Sequence, residues 1–303
     1  MNVKTLTLTL TLTQTLLLAA LPLAAQADRQ YERTVAPDGA KEVRISNTAG
    51  SIEVEGSDRQ DIRITGVLED EVEEVLIERQ GNAIAIEVKV QDRLRSYRRA
   101  SAELRIEMPA AMGLSVVGTS ADIEAEGVRG EQRLKSVSGD VRTEVWGEPV
   151  TAETVSGDVR VEGHGEVSRA TLAAVSGDLV VEALAGELEA ESVSGDVIVS
   201  DSRVSRARFE TTSGDVIATV SLERDASFEA ESVSGDIELD IAGAPDAEID
   251  VSTFSGSIDN CFGPKPERQS RYAPGSELRF TAGEGRGEIR LQTLSGDIDL
   301  CKM

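Results

Sequence analysis

Side chains that carry catalytic or redox chemistry are scarce in this chain. Aromatic residues make up 3% of it, and its 303 residues include one histidine and two cysteines. It contains no Gly-x-Ser-x-Gly, His-Glu-x-x-His or Cys-x-x-Cys motif, the motifs typical of α/β-hydrolases, zinc proteases and thiol redox proteins. We expect the single histidine, His164, to be a solvated turn residue because it lies between two glycines. These absences argue against an enzyme and indicate neither a cofactor nor a metal.

Basic residues and long apolar runs are also in short supply. Lys and Arg number 31 against 55 Asp and Glu, for a formal charge of -24. Because nucleic acids and anionic membrane surfaces attract basic faces, this balance excludes a nucleic-acid partner and passive adhesion to such a membrane. Beyond the N-terminal region, no segment has the ~18 apolar residues that a transmembrane helix needs, so no transmembrane segment is predicted after signal removal.

The N-terminal region has the features of an export signal. An uncharged stretch rich in leucine and threonine runs from Leu6 to Leu23, and Ala25-Gln26-Ala27 fits the small-x-small cleavage rule. We predict a signal peptide over residues 1–27 and a mature chain that begins at Asp28. The protein is then expected in the periplasm or at the cell surface.

A Ser-Gly-Asp motif recurs along most of the chain. From Asp140 to Ser257, the third positions of successive motifs are 18 to 21 residues apart, and a fixed period of this length is typical of solenoids. Glycine adopts backbone angles that other residues avoid, and Ser and Asp bond to nearby amides, so the motif suits a bend. The predicted corners of the repeat are Gly139, Gly157, Gly177, Gly195, Gly214, Gly235, Gly256 and Gly296.

Alternation on both sides of the motif predicts short strands. Leu188 and Ala190 alternate with glutamates before one corner, and Val197 and Val199 share a face after it. We predict an all-β, right-handed parallel β-helix (β-solenoid) with coils of about 18–21 residues, because parallel crossovers are overwhelmingly right-handed. A left-handed hexapeptide helix is disfavoured, since no six-residue period is present.

The regular repeat does not cover the whole chain. We interpret residues 28–117 as an irregular N-terminal β part that caps the solenoid, with a separate sandwich domain as the alternative. Residues 118–303 form the regular solenoid, from which residues 262–276 extend as a loop insertion.

The two cysteines occupy the same phase of the repeat. Pairing is expected in an exported chain, and the Cα separation of a disulfide, about 4.4–6.8 Å, matches one coil step. However, 40 residues separate Cys261 from Cys301, about two periods. We therefore predict one coil enlarged by the loop insertion, with the Cys261–Cys301 disulfide clamping the C-terminal end. Two free thiols on alternate coils are the other interpretation.

Two columns along the corner are candidate sites. The repeated aspartates would stack at coil spacing and bind either calcium or, as we favour, turn amides. The residue before each motif either forms an exposed apolar stripe or turns into a corner of the core, and we expect burial because buried Val is the default. The residues in question are Val137, Val155, Val175, Val193, Thr212, Val233, Phe254 and Leu294.

Two basic loops stand out in this acidic chain. Arginine together with tyrosine favours recognition of anionic groups or sugars, although solvated loop tips explain the same composition. The candidate partner-binding residues are Arg93, Arg95, Tyr97, Arg98 and Arg99 in the first loop and Lys265, Arg268, Arg271 and Tyr272 in the second.

The chain resembles a known bacterial family from Tyr31 to Cys301. The resemblance depends on four segments: Asn47–Val54, Met108-Pro109 followed by Gly113–Val116, the Ser-Gly-Asp run, and Gly285–Ile289. This combination is similar to the putative-adhesin family of β-strand-repeat proteins, a domain of unknown function. The resemblance implies an exported β-helical protein of the periplasm or cell surface, and the family supplies no catalytic residues.

We therefore predict an exported, non-enzymatic envelope or adhesion-type binding protein that presents a rigid β-solenoid surface. Its partner would be an unidentified surface, glycan or envelope protein. The alternatives are a carbohydrate-active β-helix enzyme and a structural envelope protein that self-assembles.

Overall fold

The computed structural model describes residues 29–91, 100–268 and 275–303, and the predicted signal peptide lies outside them. The described residues form 23 β-strands, and none of their segments is a helix long and apolar enough to cross a bilayer. The expectation of an all-β chain is thus confirmed. In chain order the strands are β1 (Arg29–Val35), β2 (Glu42–Ser57), β3 (Ile62–Leu68), β4 (Val72–Gln80), β5 (Ala83–Val90), β6 (Ala102–Pro109), β7 (Gly113–Glu126), β8 (Gln132–Ser136), β9 (Val141–Val145), β10 (Val150–Ser156), β11 (Val159–Gly163), β12 (Val167–Ser176), β13 (Leu179–Glu182), β14 (Ala185–Ser194), β15 (Val197–Ser213), β16 (Val216–Ser234), β17 (Ile237–Ile241), β18 (Ala247–Ser255), β19 (Ile258–Asn260), β20 (Glu267–Arg268), β21 (Ser276–Thr281), β22 (Gly287–Ser295) and β23 (Ile298–Lys302).

Each coil of the repeat contributes one strand before the Ser-Gly-Asp corner and one after it. Strand β12 pairs in parallel with β10 and β14, and β13 pairs in parallel with β11 and β15. The register keeps the motifs aligned, since Ser176 lies opposite both Ser156 and Ser194. The inward side chains of both sets of strands form one continuous core.

One column of the core alternates large and small side chains from coil to coil. In this column, on coils about 4.8 Å apart, small side chains leave space for the larger ones. The column after the corner instead has a Val, Leu or Ile on successive coils, including Val159, Leu179 and Val197. Phe209 and Phe228, on adjacent coils, meet edge to face with ring centroids 5.3 Å apart. One inward column runs Leu134, Ala152, Leu172, Ala190, Phe209, Ala230, Leu291 and Val251.

At the C-terminal end, the order of the coils differs from the order of the chain. Strand β22 pairs with both β16 and β18, and β23 pairs with both β17 and β19. The last segment of the chain therefore inserts between the coil ending at β17 and the coil of β18 and β19. Strand β21 covers the outer edge by pairing antiparallel with β18.

This insertion changes the explanation of the disulfide. Cys261 and Cys301 are bonded, with their Cα atoms 4.9 Å apart, which corresponds to one coil step. The predicted disulfide is confirmed, and the one coil that separates the two cysteines along the chain is enlarged by inserted residues that include β20 and β21. The sequence did not show that this later coil lies inside the earlier one. The chain first forms the outer coil of β18 and β19 and then returns to form the inner coil of β22 and β23, so 40 residues separate the two cysteines.

The N-terminal end shows the same exchange. Strand β2 pairs in parallel with β7 on one side and with β5 and β6 on the other. The chain thus forms an inner coil, then an outer one, and then crosses to continue from the inner coil. Antiparallel pairings of β4 with β5, β3 with β6 and β1 with β3 cover this end.

Candidate functional site

The repeat glycines form a column because adjacent coils approach too closely for a side chain. A Cβ atom on Gly195 would lie 2.1 Å from the carbonyl oxygen of Gly177, and one on Gly177 would lie 1.9 Å from that of Gly157. The corner glycines are absent from the residues with positive φ in the described chain. The sequence-based reason, unusual backbone angles, is therefore wrong. Close backbone approach is what requires glycine here.

The repeat aspartates form a ladder of hydrogen bonds along the corner. The backbone N–H of Asp196 donates to Asp178 Oδ1 at 2.9 Å, and the N–H of Asp215 donates to Asp196 Oδ1 at 2.8 Å. The same bond links each coil to the next from Asp122 to Asp297. In the described ranges no group of His, Cys, Asp or Glu is arranged to hold a metal ion. The hydrogen bonds of the ladder support the amide interpretation of the column.

The ladder ends at the degenerate motif. Asp297 Oδ1 accepts the backbone N–H of Ser257 at 2.7 Å and its hydroxyl at 2.9 Å. These two bonds hold the pKa of Asp297 below its ordinary value, against a smaller opposing effect of burial. Ser257, which replaces aspartate on the outermost coil of this end, thus donates to the ladder twice.

A buried column of Ser and Thr supports the same corner from inside. Thr253 Oγ1 donates to the carbonyl of Gly296 at 2.9 Å, and Thr293 Oγ1 donates to that of Gly235 at 3.0 Å. These hydroxyls bond backbone carbonyls from inside the core, where a polar group without a partner is costly. Sequence reasoning placed these residues on the inward face but missed this role. The signal was the near-invariant Ser or Thr two residues before each Ser-Gly pair.

The residue before each motif is exposed, which corrects the expectation of burial. Strand alternation continues to this residue, and the bend begins only after it. Seven of the eleven large exposed apolar side chains of the described chain belong to this one column. We call the column the corner stripe; its apolar members are 44–55% exposed, and it consists, in coil order, of Val137, Val155, Val175, Val193, Thr212, Val233, Leu294 and Phe254. Seven coil steps give it a length of about 34 Å.

Acidic columns flank the central part of the corner stripe on both sides. In the strands that precede the corner, Glu191, Glu210 and Glu231 lie two residues before the stripe and in register on consecutive coils. On the other side lies the aspartate ladder. Between the stripe and the glutamates runs a shallow groove of about 380 Å³, whose lining includes Val193 and Val233. The site is thus an apolar ridge and groove bordered by carboxylates.

A second groove, of about 540 Å³, lies on the other side of the aspartate ladder. Its lining includes Asp140, Asp158, Arg142 and Arg160. Oδ1 of each aspartate accepts a backbone N–H of the ladder. Arg142 and Arg160 lie 3.6 and 3.8 Å from the carboxylates of Glu124 and Glu182. These charged groups therefore already have structural partners.

The only tryptophan and the only histidine of the chain meet at the turns that close two adjacent coils. The rings of Trp146 and His164 stack with centroids 3.8 Å apart, and the guanidinium carbon of Arg129 lies 5.1 Å from the tryptophan ring centroid. Glu144 accepts the N–H of Gly127 at 2.7 Å and the indole N–H at 3.1 Å. As expected, His164 is an exposed residue between two strands, and its side chain, which is 28% exposed, also packs on the tryptophan ring.

These contacts perturb the titration of Glu144. Burial raises the pKa of this carboxyl, but the N–H groups of Gly127 and Trp146, together with His164, outweigh that effect and hold the pKa below its ordinary value. Glu144 therefore joins two coils as a carboxylate. The pairing of Trp146 with His164 was missed at the sequence level, because one coil separates them along the chain.

The predicted partner-binding loops are only partly described. The first loop (Arg93, Arg95, Tyr97, Arg98 and Arg99) and two residues of the second (Arg271 and Tyr272) lie outside the described residues. Lys265 and Arg268 are exposed beside β20 and line a depression of about 390 Å³ at the C-terminal end. Arg268 lies opposite Ser276, which lies opposite Thr253, the residue before Phe254 at the end of the corner stripe. Partner binding by these loops stays a prediction.

Comparison with known proteins places the chain in a family. Similar solved structures include a putative adhesin from Bacteroides fragilis (13% identity, TM-score 0.47, covering 91% of this chain and 98% of that one). Others are a putative adhesin from Parabacteroides merdae (12%, 0.40, 91% and 100%) and a putative lipid binding protein from Parabacteroides distasonis (15%, 0.35, 90% and 96%). A search of curated proteins found no match. The Toastrack DUF4097 profile matches residues 40–301, which confirms the resemblance drawn from the repeat and the β-solenoid-like fold: the chain belongs to the Toastrack DUF4097 family.

Proposed function

We propose that the protein is an exported, non-enzymatic binding protein, a right-handed β-solenoid that contacts an envelope or surface partner through the corner stripe. In this proposal residues 28–117 cap a regular solenoid of residues 118–303. Residues 1–27 are removed on export. The exposed stripe is the observation that carries the proposal.

An exposed apolar row is costly unless something covers it. Scattered single apolar residues are normal on a surface, but a contiguous row framed by charged residues marks an interaction site. Here the row extends over eight successive coils with Thr212 as its one polar member, on a scaffold whose strands are hydrogen-bonded on both sides. A rigid row loses little conformational entropy on binding, which favours affinity.

Binding accounts for the carboxylates better than catalysis does. A carbohydrate-active enzyme requires acids that converge on one substrate bond, whereas the aspartates of the corner form a regular column in which each Oδ1 accepts a backbone amide as part of the fold. The arginines of the neighbouring groove pair with glutamates. These contacts favour the binding interpretation over the enzymatic alternative.

The test replaces the centre of the stripe without disturbing the fold. The variant combines Val175→Thr, Val193→Thr and Val233→Thr, and Thr212 in the same column shows that the fold accommodates threonine there. The control combines Val180→Thr, Ile198→Thr and Ile217→Thr, which form an outward column in the strands that follow the corner. Wild type, variant and control are immobilised and exposed to solubilised envelope from the source cells, and captured proteins are quantified by mass spectrometry.

We expect at least one envelope protein to be captured by wild type and control but about tenfold less by the stripe variant. That protein is then purified, and its dissociation constants for the three baits are measured. Identical capture by all three baits overturns the proposal. Concentration-dependent self-association that the stripe variant abolishes would instead favour the self-assembly alternative.

A further inference from the structure

We infer that the segment seated on the corner stripe is a basic amphipathic helix of a partner protein, running along the long axis of the solenoid. This inference rests on the proposed function and specifies the chemistry of its partner. It follows from the charge of the borders, the spacing of the coils and the groove beside the stripe.

Charge complementarity selects a basic partner. From the coil of Val175 to that of Leu294, the two columns that border the stripe contain carboxylates and neutral residues but no lysine or arginine. Glu210 in the middle of the glutamate column pairs with Arg208, whereas Glu191 and Glu231 on either side of it take part in no ion pair among the described residues. Lysine or arginine side chains on both sides of an apolar seam would meet these carboxylates, whereas acidic groups would be repelled.

Coil spacing selects a helix over an extended strand. Stripe residues repeat about every 4.8 Å. Helical residues i, i+3 and i+7 advance by about 4.5 and 10.5 Å, close to one and two coil steps. Same-face residues of a strand are about 6.8 Å apart and lose register within two coils. The full stripe of about 34 Å then matches a helix of about 22 residues.

The groove provides a seat for apolar side chains. It lies between the stripe and the glutamate column and is lined by Val193, Thr212 and Val233 on one side and Glu191 and Glu231 on the other. A leucine that enters it contacts valine methyl groups, while lysines one turn away reach the glutamates. This arrangement is the helix-in-groove mode of recognition, with anchors at i, i+3 and i+7.

Other occupants fit less well. A second copy would bring two acidic borders together in a chain of formal charge -24. An anionic lipid surface would be repelled by the same borders. Sugar rings prefer aromatic platforms and hydrogen-bond donors, and the stripe holds aliphatic side chains with a single phenylalanine at one end.

The test uses a synthetic 22-residue peptide with leucines at i, i+3 and i+7 along one face and lysines on the other. Two control peptides carry glutamate in place of lysine, or the same residues in scrambled order. Binding to the full exported chain is measured by calorimetry at low and high salt. The protein variants are the Val175→Thr, Val193→Thr, Val233→Thr triple, the Glu191→Gln, Glu231→Gln double, and the Val180→Thr, Ile198→Thr, Ile217→Thr control.

We expect the lysine peptide to bind wild type and the control triple alike. The stripe triple should bind it about tenfold more weakly, and the glutamine double should bind it more weakly with a smaller salt dependence. Neither control peptide should bind measurably. Circular dichroism and thermal unfolding establish that each variant is folded.

Two results overturn the inference. The first is binding that depends on charge alone. It would be seen if the lysine peptide bound wild type and the stripe triple equally, or if the scrambled peptide bound wild type as tightly as the lysine peptide does. The second is binding of the glutamate peptide. If either occurs while envelope capture still depends on the stripe, the proposed function stands and only the basic helix is wrong. If capture is also independent of the stripe, both fail.

Discussion

Replacing one interior corner glycine is the most direct test of how this fold is held together. In the Gly195→Ala variant, the added Cβ would lie 2.1 Å from the carbonyl oxygen of Gly177, whereas an ordinary contact is more than 3 Å. The coil cannot simply move away, because ladder bonds join it to neighbours on both sides, including the 2.9 Å bond from Asp196 N–H to Asp178 Oδ1. Overpacking of this kind costs typically 1–3 kcal/mol and occasionally more, and we expect about 3 kcal/mol.

Two controls separate close approach from other effects. Ser194→Ala alters the exposed neighbour and should change the free energy of unfolding by less than about 0.5 kcal/mol. Gly243→Ala introduces a side chain at a φ of 91° with nothing within 4 Å of the new Cβ, so only backbone strain of about 1 kcal/mol should result. Urea unfolding followed by circular dichroism gives all three values. The reasoning is refuted if Gly195→Ala unfolds at the wild-type urea concentration, or if Gly243→Ala is the more damaging change.

Three further predictions concern the ends and the turns of the solenoid. Serine at both Cys261 and Cys301 should lower the free energy of unfolding by about 4 kcal/mol, since the bond closes a separation of 40 residues. A reductant should destabilise wild type but not the variant. Wild type that is unaffected by the reductant would contradict the prediction. Glu144→Gln should lower the free energy of unfolding by about 1–2 kcal/mol at pH 7. Because the folded pKa of Glu144 is lowered, its stabilising contribution is present above the ordinary value of 4.5 and is lost as the pH falls through the folded pKa. The unfolding curves of wild type and variant should therefore converge in acid. Burial and nearby aspartates raise the pKa of Asp299, so ionisation of this carboxyl opposes folding. Asp299→Asn should therefore raise the free energy of unfolding by a few tenths of a kcal/mol at pH 7. This gain should disappear below pH 3.8, the ordinary pKa of the group.

Local features of the repeat were predictable from the sequence. Alternation around Leu188 and Val197 identified which side chains enter the core, and the equal phase of the two cysteines placed them one coil step apart. The cysteine inference also used the short reach of a disulfide, because 40 residues alone correspond to about two periods. The all-β, solenoid-like fold follows from the same information, because the period is repeated so often.

The order of the coils and the exposure of the stripe were not predictable in the same way. Exchanging two coils with the same inward pattern leaves every local signal unchanged, so nothing in the motifs revealed that β22 and β23 lie inside β18 and β19. For Val193 and its equivalents, the sequence shows that a bend exists but not on which side of the valine it begins. The stacking of Trp146 on His164 was likewise not predictable, because it depends on turns that have no periodic pattern.

The exchanged coils at both ends constrain how this protein can change in length. The first and last coils of the chain each lie beneath another coil, so units added at either terminus would find no free edge to extend. Growth or shrinkage by duplication or loss of a unit is therefore expected between β8 and β16, where chain order and spatial order coincide. Homologous proteins of different length should then keep the same two ends and vary in the number of coils between them.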